Sequence, residues 1–281
     1  MLTPHALSNG IKQSIRRQVV GLFNDHGKGE TPVSRSADAL FDAGSVAWRV
    51  HGDVASMMVG GISSLLMQML HPSVLAGVWD HSNFRADMHG RLRRTARFIA
   101  VTTYADRQLA QATMARVRSV HDHVTGTLPD GTAYHANDPA LLGWVHVTET
   151  TSFLNAWLRY AEPAMSAADQ DRYFAEMALI GAAMGVEPVP TSRSEAHALI
   201  EKMRPYLRVD DRTRTVAALI MDGGTTSLAA EVPRRLAVQA AIDLLPHWAR
   251  TLQGMNLSPL ERPIVRAGTL GIAQTLRWAF K

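Results

Sequence analysis

Eight of the chain's twelve histidines lie between His51 and His146, and the same stretch carries Arg85, Arg91, Arg93, Arg94, Arg97, Arg107, Arg116 and Arg118. Imidazoles among guanidinium groups suggest a metal centre, and the spacing narrows the kind. A carboxylate-bridged di-iron bundle takes glutamates from several helices and paired ExxH motifs; the chain has no ExxH. Zinc-protease chemistry takes HExxH, also absent. Haem makes a different demand: one imidazole for the iron, an apolar pocket for the porphyrin and cations for two propionates. This stretch supplies those parts. With no cysteine in the chain, thiolate-ligated haem, iron–sulfur clusters, disulfides and cysteine nucleophiles are excluded. No GxGxxG, phosphate-loop or GxSxG pattern occurs, which removes most support from nucleotide-fold and hydrolase readings.

The segment Met114–Thr125 (MARVRSVHDHVT) offers the sharpest candidate ligand. At 100° per residue, Met114, Val117, Arg118, His121, Val124 and Thr125 gather on one side, with Arg116, Ser119 and His123 opposite. His121 then faces apolar neighbours and His123 meets solvent. A second constellation is Arg91, Arg94 and Thr95, whose i, i+3, i+4 spacing puts them on one helix face. Two arginines and a hydroxyl suit a propionate or bound oxygen; a solvated basic face is the alternative. His71, before Pro72, suits a helix cap. His81, beside Ser82, suits a distal pocket, and His146, beside Trp144, suits the core. A non-haem metal drawing on His71, His81, His121 and His146 therefore stays open, as does a non-catalytic helical protein that binds lipid or a partner.

Helices must position these residues. Asp53 caps a helix to about Leu70, stopped by His71-Pro72. Further helices are expected over about Arg91–Thr103, Asp106–His123 and, from Asp138-Pro139 as cap and first turn, to about Tyr160. Ser166 with Asp169, and Ser258-Pro259-Leu260-Glu261, are later start signals. The single good strand signal is Thr127–Tyr134, turned at Pro129-Asp130-Gly131. The expected fold is mainly α: one globular helical domain, globin-like or a multi-helix bundle, over residues 37–281, with at most one short β-hairpin. Residues 1–36 form an N-terminal amphipathic arm and loop.

Charged residues are only 19% of the chain, below the usual quarter, which leaves ample apolar surface for a cofactor or partner. The basic residues are scattered and do not interleave with aromatics, so nucleic acid is not an expected partner. No secretory signal opens the chain, and the reading is cytoplasmic. The basic amphipathic run Ile11–Phe23 (IKQSIRRQVVGLF) suits peripheral contact with a membrane or packing on the core. Oligomeric state is not legible.

His51-Gly52-Asp53, then GGISSLLMQMLHPSVLAGVWDHSNF, GRLRRT, HDHVTG and AYHANDPALLGWVH together resemble the MpaB-like oxygenase family, which includes the rubber oxygenases called latex clearing proteins. The resemblance is close over His51–Tyr160 and looser beyond, including LLPHWAR from Leu244. It implies a b-type haem with iron held by His121, supported by Arg118 in an R-x-x-H motif. It places Arg91, Arg94 and Thr95 beside the haem, in an R-x-x-R-T version of the family's R-x-x-K-T. It also implies dioxygen and a small apolar organic substrate, with oxidative C=C cleavage as the family reaction and hydroxylation as another outcome. Rubber oxygenases carry an acidic base upstream; Ser73–Val78 has no glutamate here, and Asp80 is the nearest carboxylate. That departure points to a substrate other than rubber.

Overall fold

A computed structural model describes residues 4–25, 27, 29–222 and 228–281. Among them are thirteen α-helices and one two-stranded sheet, a mainly α single domain. The centre is a pair of helices, α3 (Val54–Gln68) and α7 (Pro139–Tyr160). Asp53 caps α3, its Oδ1 accepting from the Ser56 backbone N–H at 2.9 Å. The same carboxylate takes Arg277 at 2.7 Å from α13 (Glu261–Phe280), so one side chain both starts α3 and holds the last helix on it. Asp138 caps α7, accepting from Ala140 and Leu141, with Pro139 in the first turn where a missing N–H costs nothing.

The α3–α7 packing is antiparallel and close. The Trp144 indole donates to the Gln68 carbonyl at 3.3 Å, while Gly60 lies against Phe153. A Cβ on Gly60 would stand 2.8 Å from Phe153 Cδ1, 2.9 Å from its Cα and 3.0 Å from the Ser152 carbonyl oxygen. Two of those three atoms are backbone and cannot swing away. Gly60→Ala is therefore expected to cost about 1–3 kcal/mol, as overpacked cores do. Chemical denaturation measures it; a loss within error would show that the helix pair separates freely.

α3 ends before His71-Pro72 as expected, and Pro72 also opens α4 (Pro72–His81), with His71 at the N-cap position without a side-chain capping bond and a 104° bend from α3. A proline that ends one helix occupies the first turn of the next at no hydrogen-bond cost. No single helix among the described residues is long and apolar enough to cross a membrane. The hairpin pairs Thr125–Thr127 with Ala133–His135, slightly outside the expected turn. Gly131 takes φ +87° there, a conformation that disfavours any side chain.

Two helices before α7 form a hairpin of their own: α5 (Met88–Tyr104), capped by Asp87, and α6 (Arg107–His121), capped by Asp106. It packs on α2 (Val46–His51) through α5 and on α8 (Ala167–Met184) through α6. In the remaining layer, α9 (Arg193–Met203), α10 (Asp211–Asp222), α11 (Leu228–Leu244), α12 (His247–Gln253) and α13 complete the shell. Ser258 and Glu261 form the expected reciprocal capping box, but α13 begins only at Glu261. The N-terminal helix α1 (Pro4–Phe23) lies against α5 and α13.

Candidate active site

The α5–α6 hairpin decides where the expected site residues meet. Its two helices run antiparallel from a turn at Ala105-Asp106, so Arg91 and His121 each lie roughly 21–23 Å from that turn, at the same end. The other end is pinned to the middle of α7. His51 of α2 sits between Thr103 of α5, Tyr173 of α8 and Phe153 of α7. The far end reaches the start of α7, because Asn137, two residues before that helix, donates to the Arg118 carbonyl of α6 at 3.0 Å. The hairpin thus runs alongside α7, yet neither α5 nor α6 is among the helices whose backbones pack closely on α3 or α7. Between them Leu65, Phe98 and Ile99 are partly buried and pack against the core cluster.

His121 is half-buried at the C-terminal end of α6, while His123 is exposed and its Nδ1 is taken by the Ser119 carbonyl at 2.9 Å. Burial pulls the His121 pKa below the usual imidazole range, against Asn137 and Asp122, which push it up. Its Nδ1 is buried with no partner; Nε2 is neither buried nor hydrogen-bonded. The carboxamide of Asn137 lies beside the ring. That carboxamide is anchored by donation to the Arg118 carbonyl and to Asp122 Oδ1 (2.6 Å), which leaves its own Oδ1 buried and unpaired. Arg118 itself turns to α8, with Nη1 3.5 Å from the Ala183 carbonyl.

The arginines of α5 sort themselves by partner. Arg93 pairs with Asp25 (3.2 Å), Arg94 with Asp87 (3.5 Å), and Arg97 donates to the Thr31 carbonyl (3.1 Å). Arg91 has no carboxylate or carbonyl partner among the described residues. Burial, then the neighbouring Arg94 charge, pull its pKa below the ordinary guanidinium value. An enclosed cation without a counter-charge is costly, and an anionic group seated there would relieve it. Thr95 is exposed and bonds back to the Arg91 carbonyl.

The other candidate histidines are dispersed. His81 is exposed on the hairpin side of α4, with Nε2 3.0 Å from the Thr125 carbonyl. His71 caps α4, buried, its pKa pulled to about 4 by burial. His146 packs on Gly181 of α8, and burial also brings it to about 4. Among the described residues no three His, Asp or Glu side chains gather as a metal-ion site.

Two buried or enclosed residues beside this hairpin are given no role by the sequence reading. One is His51, 7% exposed. Thr103 spends its hydroxyl proton on the Ile99 carbonyl (2.7 Å), so it accepts from His51 Nδ1–H at 2.8 Å, and the Tyr173 hydroxyl donates to Nε2 at 2.9 Å. Both ring nitrogens are thus satisfied in the neutral form, and burial holds the pKa near 3. The other is Glu149, one helical turn before Phe153. Protein surrounds it so fully that burial pushes its carboxyl up to about 7. Yet the residue keeps some accessible surface and makes no hydrogen bond to a described residue. Its charge is felt by Tyr173, whose pKa rises chiefly from burial and next from Glu149. The only sequence signal was a lone glutamate within an otherwise uncharged stretch of α7, from Leu141 to Leu158 apart from His146.

The family model described as "ER-bound oxygenase mpaB/B'/Rubber oxygenase, catalytic domain" matches residues 48–278. The chain belongs to this family. The oxygenase domain therefore runs from within α2 nearly to the end of α13 and contains His51, Arg91, His121 and Glu149, while α1 precedes it. Its extent exceeds the His51–Tyr160 stretch where the motifs are dense, so the looser C-terminal resemblance belongs to the same unit. No curated protein and no solved structure matches the chain.

Proposed function

We propose that this oxygenase domain binds one b-type haem through Nε2 of His121 and uses dioxygen to oxidise a small apolar organic substrate. The observation that carries the reading is the state of His121: Nε2 open, Nδ1 buried and unpaired, and the Asn137 carboxamide beside the ring. Metal-ligating histidines characteristically donate the other ring N–H to a fixed acceptor, which sets the tautomer and orients the ring. Asn137, held by two hydrogen bonds of its own and with Oδ1 still unpaired, offers such an acceptor. Arg91 supplies a cation without a counter-charge at the same end of the hairpin, suited to a propionate. A haem asks for only one protein ligand, so the dispersal of the other histidines is no obstacle.

When bound, haem supplies the redox chemistry of oxygen activation. The chain's own contributions are separate. His121 and Asn137 fix orientation; Arg91, with Arg94 and Thr95 on the adjoining surface, supplies charge and a hydroxyl. Leu65, Phe98 and Ile99 would offer apolar contact that keeps water from the reacting centre. The neutral pair His51–Tyr173 closes the turn end of the hairpin without introducing charge. The proposed reaction is cleavage of a C=C bond or hydroxylation of an apolar substrate.

Protein produced with ample haem is expected to carry close to one haem per chain by pyridine haemochrome assay. Arg91→Ala should speed haem loss by about ten- to a hundredfold, the scale of one buried charge-assisted contact, while Arg97→Ala should not. A folded protein that takes up no haem on reconstitution would overturn the reading.

A further inference from the structure

Asp243, near the C-terminal end of α11, has a side chain only 1% exposed and stands among four arginines. Arg159 of α7 reaches its Oδ2 at 2.9 Å. Arg266 of α13 donates to both its oxygens, at 2.7 and 3.1 Å. Arg262 of α13 lies 3.7 Å away, close enough for ion pairing but with its Nε hydrogen-bonded to nothing. Arg250 of α12, 8% exposed, donates to the backbone carbonyls of Asp243 (3.0 Å) and Leu245 (2.8 Å), and its Nε is also buried without a partner. Glu261, beside Arg262 in sequence, is turned to the Ser258 backbone at 2.7 Å.

Four guanidinium groups around one carboxylate leave an excess of three positive charges. The buried hydroxyls of Tyr160 and Thr269 face each other here, and Tyr160 feels Asp243, Arg159 and Arg266. So the cluster combines surplus charge with two buried guanidinium N–H groups, Nε of Arg250 and of Arg262, that lack acceptors. Each such donor costs about 1–3 kcal/mol unless a partner arrives, and like charges held together cost more. A pure structural clamp would need only as many arginines as its carboxylate can satisfy. The missing component is compact, anionic and rich in acceptor oxygens. The side chains of Arg159, Arg262 and Arg266 keep roughly a third or more of their surface open, so the cluster is reachable from solvent.

We infer that the cluster of Arg159, Arg250, Arg262 and Arg266 around Asp243 is a binding site for a phosphate group, separate from the oxygenase site. Guanidinium forks match the oxygens of a phosphate in pairs. The two sites sit at opposite ends of α7, a helix ~33 Å long: His121 near its start, Arg159 and Tyr160 at its end. The inference is independent of haem. Its phosphate has two sources in chemistry, a phospholipid headgroup or a small soluble phosphate.

The test titrates inorganic phosphate into the full-length protein at constant ionic strength, following thermal unfolding against chloride. A saturable rise in Tm with phosphate, weakened about tenfold or more in apparent affinity by Arg262→Gln, supports the site. Arg262 is the variant of choice because it makes no hydrogen bond to the cluster, so the fold should survive its loss. Arg235→Gln, an exposed arginine of α11 paired with Glu231, serves as control and should leave the titration unchanged. Co-sedimentation with phosphatidylcholine vesicles containing phosphatidic acid, lost in Arg262→Gln, would assign the headgroup source; phosphate binding without sedimentation would assign a soluble one. No saturable shift and no sedimentation, or an equal shift in Arg262→Gln, would overturn the inference and leave an ion-paired clamp.

Discussion

His121→Ala is expected to strip the oxygenase of haem, lowering affinity by about a hundredfold or more, which corresponds to about 2.7 kcal/mol. The imidazole is the single protein bond to the iron in the proposed arrangement, and alanine removes it. His123→Ala is the matched control. It lies on the same helix end, is exposed, and already bonds its own backbone at Ser119, so its removal should change haem content little. Asn137→Ala should fall between the two, at roughly ten- to a hundredfold, as outer partners of metal-bound histidines do. A shifted rather than absent haem spectrum is its expected signature, because the ligand survives but its orientation and basicity change. Haem off-rates and absorption spectra of the three variants measure this ordering. Sensitivity at His123 with indifference at His121 would defeat the ligand assignment.

Glu149→Gln is expected to stabilise the protein strongly above neutral pH and hardly at all below pH 4.5. The folded carboxyl titrates near 7, the unfolded one near its ordinary 4.5. A raised pKa means that folding disfavours the ionised form. Stability is therefore full below pH 4.5, declines as pH rises, and has lost its whole contribution once pH passes about 7. The interval of about 2.5 pH units corresponds to about 3 kcal/mol. Glutamine keeps the shape but never ionises, so the gain at pH 8.5 should approach that figure. Urea unfolding of both proteins at pH 4.5 and 8.5, in the haem-free form, measures it. Equal differences at the two pH values would show that Glu149 is solvated in the folded protein. His51, His71 and His146 work in the opposite sense. Their depressed pKa values mean stability is present above about pH 6.5 and falls as pH drops toward 4 and 3.

Much of the helical framework was legible because caps are local. Asp138-Pro139 satisfies and tolerates the first orphan N–H groups from within four residues, and α7 starts there and ends at Tyr160. Asp53 did the same for α3. Pro72 shows the limit: the stop it signals is there, but the sequence does not say that the same proline opens α4 in its first turn. The small hairpin is legible from its turn residues, though its strands begin and end one or two residues farther out, where Tyr134 finds burial against Ala76 and Leu128.

For the site, the phase of α6 is legible as far as His121, because 100° per residue follows from backbone hydrogen bonding alone; the helix was expected to reach His123 but ends at His121, so His123 is exposed in the turn that follows and Thr125 already belongs to the hairpin. The same arithmetic placed Arg91, Arg94 and Thr95 on one face but could not distinguish them. Asp87 neutralises Arg94, and enclosure singles out Arg91. Those partners come from a preceding loop and from other helices. Glu149, His51 and the arginines around Asp243 were invisible for the same reason. A pKa near 7 or near 3 is a property of the solvent that neighbouring helices exclude, and an unpaired donor is a property of what fails to arrive opposite it. By itself, the sequence determined helix type, most caps, helical phase and family membership, all set by bonds within a few residues or by motifs in order. Only the tertiary structure decided which charges lose water and which keep a partner, because desolvation sums over side chains brought together from α2, α3, α5, α7 and α8 that no spacing along the chain relates.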